Sequence, residues 1–140
     1  MKGILLLMGL FLSQLSAASQ PELQVVKSFV TAYNQQDLES MLELTTSDVS
    51  WMSVESKKLS IITAGKEQLS KAMQGFFANS NHGRSEILSI QGSGDFVHTV
   101  EKAIWSSEGK EKSRCSVAIY ELKELKILNV WYYPAHQCTE

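Results

Sequence analysis

Residues 29–51, FVTAYNQQDLESMLELTTSDVSW, carry the pattern that decides the fold. Phe29, Val30 and Tyr33, with Val26 before them, follow helical spacing and close an amphipathic helix. A polar break follows, and Asp37 is a good N-cap for a second, short helix over 38–44. Leu38, Met41, Leu42 and Leu44 give that helix an apolar face. Thr45, Thr46 and Ser47 break it, and Asp48-Val-Ser-Trp51 enters a strand. Long helix, polar break, short helix and strand follow one another without a spare linker.

Upstream, Ser19 and Glu22 have capping-box spacing, and Pro21 falls in the first turn, where its missing N–H costs little. The first helix is therefore expected over 20–35. Downstream, 48–54 reads as a strand, and 57–63 as either a loop or a short edge strand. Thr63 or Gly65 opens a third helix, with Leu69, Ala72, Met73, Phe76 and Phe77 on one face. The segment 79–83 ends it with turn chemistry. Four further strands follow over 85–91, 96–105, 112–122 and 126–133, the last stopped by Pro134. The expected fold class is α+β: three N-terminal helices packed on one face of a curved sheet that ends in an antiparallel meander.

A turn centred on Glu124 sets Ala118 opposite Val130, Tyr120 opposite Leu128 and Ser116 opposite Tyr132. Val117, Ile119, Asn129, Trp131 and Tyr133 then occupy the other face. Both faces are rich in apolar groups, whereas a sheet with one wet face alternates more cleanly. A homodimer through the sheet, or cover from the chain's own tail, accounts for this. A monomer with a few exposed aromatics is the plain alternative.

The start of the 140-residue chain is unlike the rest. Lys2, the apolar run 4–12 and the small residues Ser16, Ala17 and Ala18 form a secretory signal over 1–18. The run is roughly half the length of a membrane-spanning helix, so the expectation is cleavage, with no stable membrane anchor. The alternative is an anchor that stays. The protein is then periplasmic or secreted, with one domain over 19–140. A net charge of -2 and interspersed charges give no basic stripe for nucleic acid. The two cysteines, Cys115 and Cys138, either form a disulfide in an oxidising compartment or leave one half-buried thiol and one in a loose tail. Neither they nor the histidines have metal-site spacing, and no cofactor is implied.

Residues 25–51 (VVKSFVTAYNQQDLESMLELTTSDVSW) and 118–134 (AIYELKELKILNVWYYP) resemble the nuclear-transport-factor-2-like superfamily, in its SnoaL-like, polyketide-cyclase and ketosteroid-isomerase-like branch. The first matches the family's helix, "N-x-x-D-L" break, short helix and "D-V-x-W" strand entry. The second matches its closing hairpin with an aromatic end. The resemblance implies a cone, a strongly bent sheet wrapped around the helices, with a pocket at the wide end suited to a small hydrophobic molecule.

It also implies where catalytic groups would fall in the isomerase branch. Phe29 stands where the family tyrosine would lie, Ser53 where the first-strand base would lie, and Ala118 where the second acid would lie. None can do that work. Two other residues are acid–base candidates, His98 and Glu101, on one predicted strand. One hairpin register turns His98 and Lys102 inward, the other Thr99 and Glu101, and the SSEGKE turn admits both. His82 sits in a turn and His136 in the tail. Asp37 and Asp48 are explained as a cap and a strand entry. The expected pocket residues are Phe29, Tyr33, Trp51, Ser53, Tyr120, Val130 and Tyr132. Three functions remain open: a binding module for a small hydrophobic molecule, an isomerase, dehydratase or hydrolase acting on one, and a dimeric interaction module.

Overall fold

The computed structural model describes residues 20–79 and 83–139. The signal segment, Ser19 and His82 lie outside them. Helix α1 spans Pro21–Gln35, with Gln20 as its N-cap in extended conformation and without a side-chain cap bond. It ends at Gln36 in the left-handed region (φ 57°), where the Gln36 and Asp37 N–H groups donate to the carbonyls of Tyr33 and Ala32. Helix α2 is Leu38–Glu43, capped by Asp37. The Asp37 carboxylate accepts from the Ser40 hydroxyl (2.6 Å) and the Ser40 N–H (3.1 Å), and these bonds hold its pKa below the usual range.

Strand β1, Thr45–Glu55, begins three residues earlier than expected. Thr45 to Ser47 belong to the strand because Thr45 is buried and pairs with Ile127. The ambiguous segment is an edge strand, β2 (Lys58–Ala64), joined to β1 by Ser56 and Lys57, both at positive φ. Helix α3 is Lys66–Phe77. Leu69, Met73 and Phe77 form its inner stripe, while Ala72 is exposed and Phe76 is 42% exposed. Strands β3 (Arg84–Ser93), β4 (Phe96–Ser107), β5 (Lys110–Lys123) and β6 (Lys126–Tyr132) make the meander.

The six strands form one curved, open sheet in the order β2-β1-β6-β5-β4-β3. All neighbours are antiparallel except β1 and β6, which run parallel. That pairing inserts the first hairpin beside the end of the meander. Helix α1 lies against β3, β4 and β6, and α3 against β1 and β2. The core between helices and sheet includes Val26, Phe29, Met41, Leu69, Val97 and Ile127. Among the described residues no helix is long and apolar enough to cross a membrane.

The closing hairpin differs from its expected register. Glu124 and Leu125, both at positive φ (52° and 59°), make a two-residue turn. A bulge then leaves Leu128 unpaired, between Leu122↔Ile127 and Glu121↔Asn129. Ala118 therefore faces Tyr132, not Val130, and Tyr120 faces Val130, not Leu128. From Asn129 onward the displacement is even, so those side chains keep their predicted faces, whereas at the bulge Ile127 turns inward opposite Leu122 in place of Leu128. On the outer face Ile119 and Trp131 are half-buried, and Val117 (37%) and Tyr133 (42%) are exposed. Beyond β6 the tail returns to β5. Cys115 and His136 exchange backbone hydrogen bonds, and a disulfide joins Cys115 to Cys138.

Candidate functional site

The site is positioned by the β4–β5 hairpin. Its pairing runs without interruption from Phe96↔Glu121 to Ser107↔Lys110, closed by Glu108 and Gly109, both at positive φ. This two-residue turn fixes which β4 residues point inward. Thr99 faces Ala118 and Glu101 faces Ser116, so both share the concave face with Tyr120. His98 is on the opposite face and exposed. It is therefore excluded as an acid–base group of the cavity, because strand parity turns it toward solvent.

Glu101 is 4% exposed, and its carboxylate is the centre of a hydroxyl cluster. One oxygen, Oε1, accepts from Tyr120 Oη (2.6 Å) and Thr99 Oγ1 (2.8 Å). The other, Oε2, accepts from Tyr132 Oη (2.9 Å) and Ser85 Oγ (3.1 Å). The two phenol oxygens are 3.0 Å apart. Buried carboxylates are tolerated where hydrogen bonds replace water, and four donors do so here. Burial first, then the neighbouring phenol and Glu101, pushes the Tyr120 hydroxyl well above the ordinary pKa. Burial and then Glu101 do the same for Tyr132. Tyr33 is raised more modestly, again mainly by burial.

Ser85 reaches the cluster because Asn34 holds its backbone. The Asn34 amide donates to the Ser85 carbonyl and accepts from the Ser85 N–H, both at 2.8 Å. The last turn of helix α1 thus pins the start of β3. Just before it, a Cβ on Gly83 would lie 2.5 Å from the Ile104 carbonyl oxygen, so only glycine lets β3 approach β4 this closely.

The cluster opens into a cavity of about 490 Å³. Phe29, Tyr33, Trp51, Tyr120 and Tyr132 line it, as does Glu101. The Trp51 ring stacks on Tyr132 (centroids 5.2 Å, planes 14° apart) and lies 6.0 Å from Phe29. Met73 and Phe76 from α3, and Trp105 from β4, complete the apolar wall. Two expected pocket residues are elsewhere. Val130 is fully buried in the core, and Ser53 is half-buried outside the lining. His136 is exposed in the tail. Sequence reasoning did not single out Ser85, Met73 or Trp105 for the site, and it left Thr99 inward in only one of two registers. The signal that could have found Thr99 was the Glu108-Gly109 pair, since a two-residue hairpin turn fixes parity.

A family model, the SnoaL-like domain, matches residues 26–130. The chain belongs to the SnoaL-like domain family. No curated protein sequence matches this SnoaL-like domain, but solved structures do. A cystatin-fold protein from Novosphingobium aromaticivorans is 22% identical, with 79% of this chain and 96% of that chain covered and a TM-score of 0.68. An LEH-like epoxide hydrolase from M. tuberculosis is 15% identical over 81% of each chain, with a TM-score of 0.68. An NTF-2-like protein from Burkholderia xenovorans is 18% identical over 86% of each chain, with a TM-score of 0.63. At these identities the likeness is one of fold.

Proposed function

We propose that this SnoaL-like domain binds a small, largely apolar molecule whose polar end meets the Glu101–Tyr120–Tyr132 cluster. Proteins of this fold often bind small hydrophobic molecules or act as cyclases, isomerases or hydrolases. The carrying observation is a single buried carboxylate, organised by four hydroxyls, at an aromatic-walled cavity of about 490 Å³. Such cavities bury most of a small ligand and orient it through a few fixed polar groups. Ala103 lines the wall. A thermal-shift screen of apolar and aromatic metabolites should find compounds that stabilise the wild type and not Ala103→Trp, which fills the cavity. If no compound class stabilises the wild type, or Ala103→Trp responds equally, the reading is wrong.

An enzymatic reading has one observation in its favour: Glu101 and two phenols can exchange protons with a bound substrate, as general acid–base chemistry requires. Every acceptor position of the carboxylate is already filled by a hydroxyl, so it must release a donor before it takes a proton. That favours binding as the primary role. Glu101→Gln should abolish any turnover of a small apolar epoxide or ketone while leaving uncharged ligands bound.

We also propose an exported homodimer, periplasmic or secreted, with the signal removed after residue 18. The Cys115–Cys138 disulfide supports export, since such bonds persist in oxidising compartments. The outer-face row of Val117, Ile119, Trp131 and Tyr133 supports pairing through the sheet. Trp131→Arg should then give a folded monomer by light scattering. An unchanged mass would count against the dimer.

A further inference from the structure

The chemistry of the ligand's polar end can be read from the proton count of the cluster, given the binding reading above. An ionised carboxylate has about four acceptor positions, and a hydroxyl has one proton to donate. Here Thr99, Tyr120, Ser85 and Tyr132 each direct their proton to Glu101. The phenols are then spent as donors. Their remaining hydrogen-bonding capacity is lone pairs, and a phenol that gives its proton to the other across their 3.0 Å contact leaves an acceptor position on Glu101 open in exchange. The four hydroxyls on Glu101 therefore accept hydrogen bonds and have none to give, and Tyr33 on the same wall is the neighbouring hydroxyl whose proton is not committed to the carboxylate. Burial holds both phenols in their protonated form, which keeps this arrangement in place.

The charge balance points the same way. Glu101 forms no ion pair among the described residues. The basic side chain on the described cavity wall is Arg84, which is largely exposed and lies 3.5 Å from Glu111. Around the carboxylate stand Phe29, Trp51, Tyr120 and Tyr132, whose ring faces carry negative potential. A negative, acceptor-rich end inside an aromatic wall is the complement of a cation that carries N–H groups.

We infer that the cavity selects a protonated hydrophobic amine, with the ammonium against the Tyr120–Tyr132 oxygens and Glu101 and the apolar body against Trp51 and Phe29. A neutral alcohol can give one hydrogen bond there but brings no charge. A carboxylate meets Glu101 as a like charge.

The test compares three compounds of one skeleton by titration calorimetry on the full domain: phenethylamine, phenethyl alcohol and phenylacetate. The expected order is amine first, at least about tenfold tighter than the alcohol, with phenylacetate weakest. In Glu101→Gln the amine's advantage over the alcohol should collapse to within about threefold. If the alcohol binds as tightly as the amine, or phenylacetate binds best through Arg84, the amine inference is overturned and the pocket reading stands. If none of the three, nor any compound of the wider screen, binds the wild type, the pocket reading itself fails. Should Glu101→Gln not fold, the wild-type order alone decides the matter, and Tyr132→Phe, which removes one of the two phenol acceptors, should weaken the amine more than the alcohol.

Discussion

Tyr120→Phe is expected to destabilise the domain by roughly 2 kcal/mol, the cost of a lost hydrogen bond to a buried charged group. Tyr120 is fully buried and donates to Glu101 at 2.6 Å, the shortest bond of the cluster. Phenylalanine keeps the ring and its edge contact with Phe29 (6.4 Å), so the packing loss is small. What is lost is one of the two donors to Oε1, leaving Thr99 alone. Tyr132→Phe should cost less, because Tyr132 is half-buried where Tyr120 is fully buried, and water from the cavity can replace its hydroxyl. Equilibrium urea unfolding separates the two variants. A Tyr120→Phe domain within about 0.5 kcal/mol of the wild type would mean that the cluster does not hold the fold.

The same phenols predict a pH dependence. Both have a pKa raised above the ordinary value of 10.0, so the folded state keeps protons that the unfolded chain releases. Their contribution to stability is complete below pH 10 and is lost as pH rises beyond it. The wild type should therefore unfold in alkali with release of these phenolic protons in the same transition. Tyr120→Phe should flatten the alkaline limb, and phenol ionisation well before unfolding would contradict this.

The stretch from Phe29 to Trp51 was legible because its signals are local. Helical spacing, the Asp37 cap and the strand entry each depend on neighbours within a few residues. The second role of Asn34 was not legible, since its partner, Ser85, is 51 residues away. The Glu101 site was half-legible. Both inward sets of β4 could be written down, and Glu108-Gly109 decides between them only once it is known to be a two-residue turn. The β5–β6 faces came out right from Asn129 onward although the register was displaced, because the bulge at Leu128 and the tight turn together move that pairing by an even step, while Ile127 takes the inner place expected of Leu128. Val130 entered the expected pocket because it shares a face with Tyr132, but the core claims one end of that face and the cavity the other. Parity names a face and cannot say how deep along it a residue lies. The parallel seating of β1 on β6 had no local trace at all, since the hydrogen bonds that make it join Thr45–Ser53 to a strand near the other end of the chain.

Breaking the Cys115–Cys138 bridge should have the larger effect, roughly 3 kcal/mol. The bond spans 23 residues, a loop that the unfolded chain would otherwise sample freely. The loop contains the β5–β6 hairpin, so in the folded state its ends are already brought together by the ladder and by the Cys115–His136 bridge. The bond therefore acts chiefly on the unfolded state, and its removal should leave the sheet intact. Cys115 points to the opposite face of β5 from Ser116 and Tyr120, so the cavity should be unaffected. The expected result for Cys115→Ala with Cys138→Ala is a lower urea midpoint, with ligand affinity near that of the wild type. Cys138→Ser alone should lose about as much stability, and wild type measured in reductant should match it. A loss under about 1 kcal/mol would show that the tail is held by its backbone bonds without the bridge, and a collapse of ligand binding in a folded double variant would show that tail and cavity are coupled.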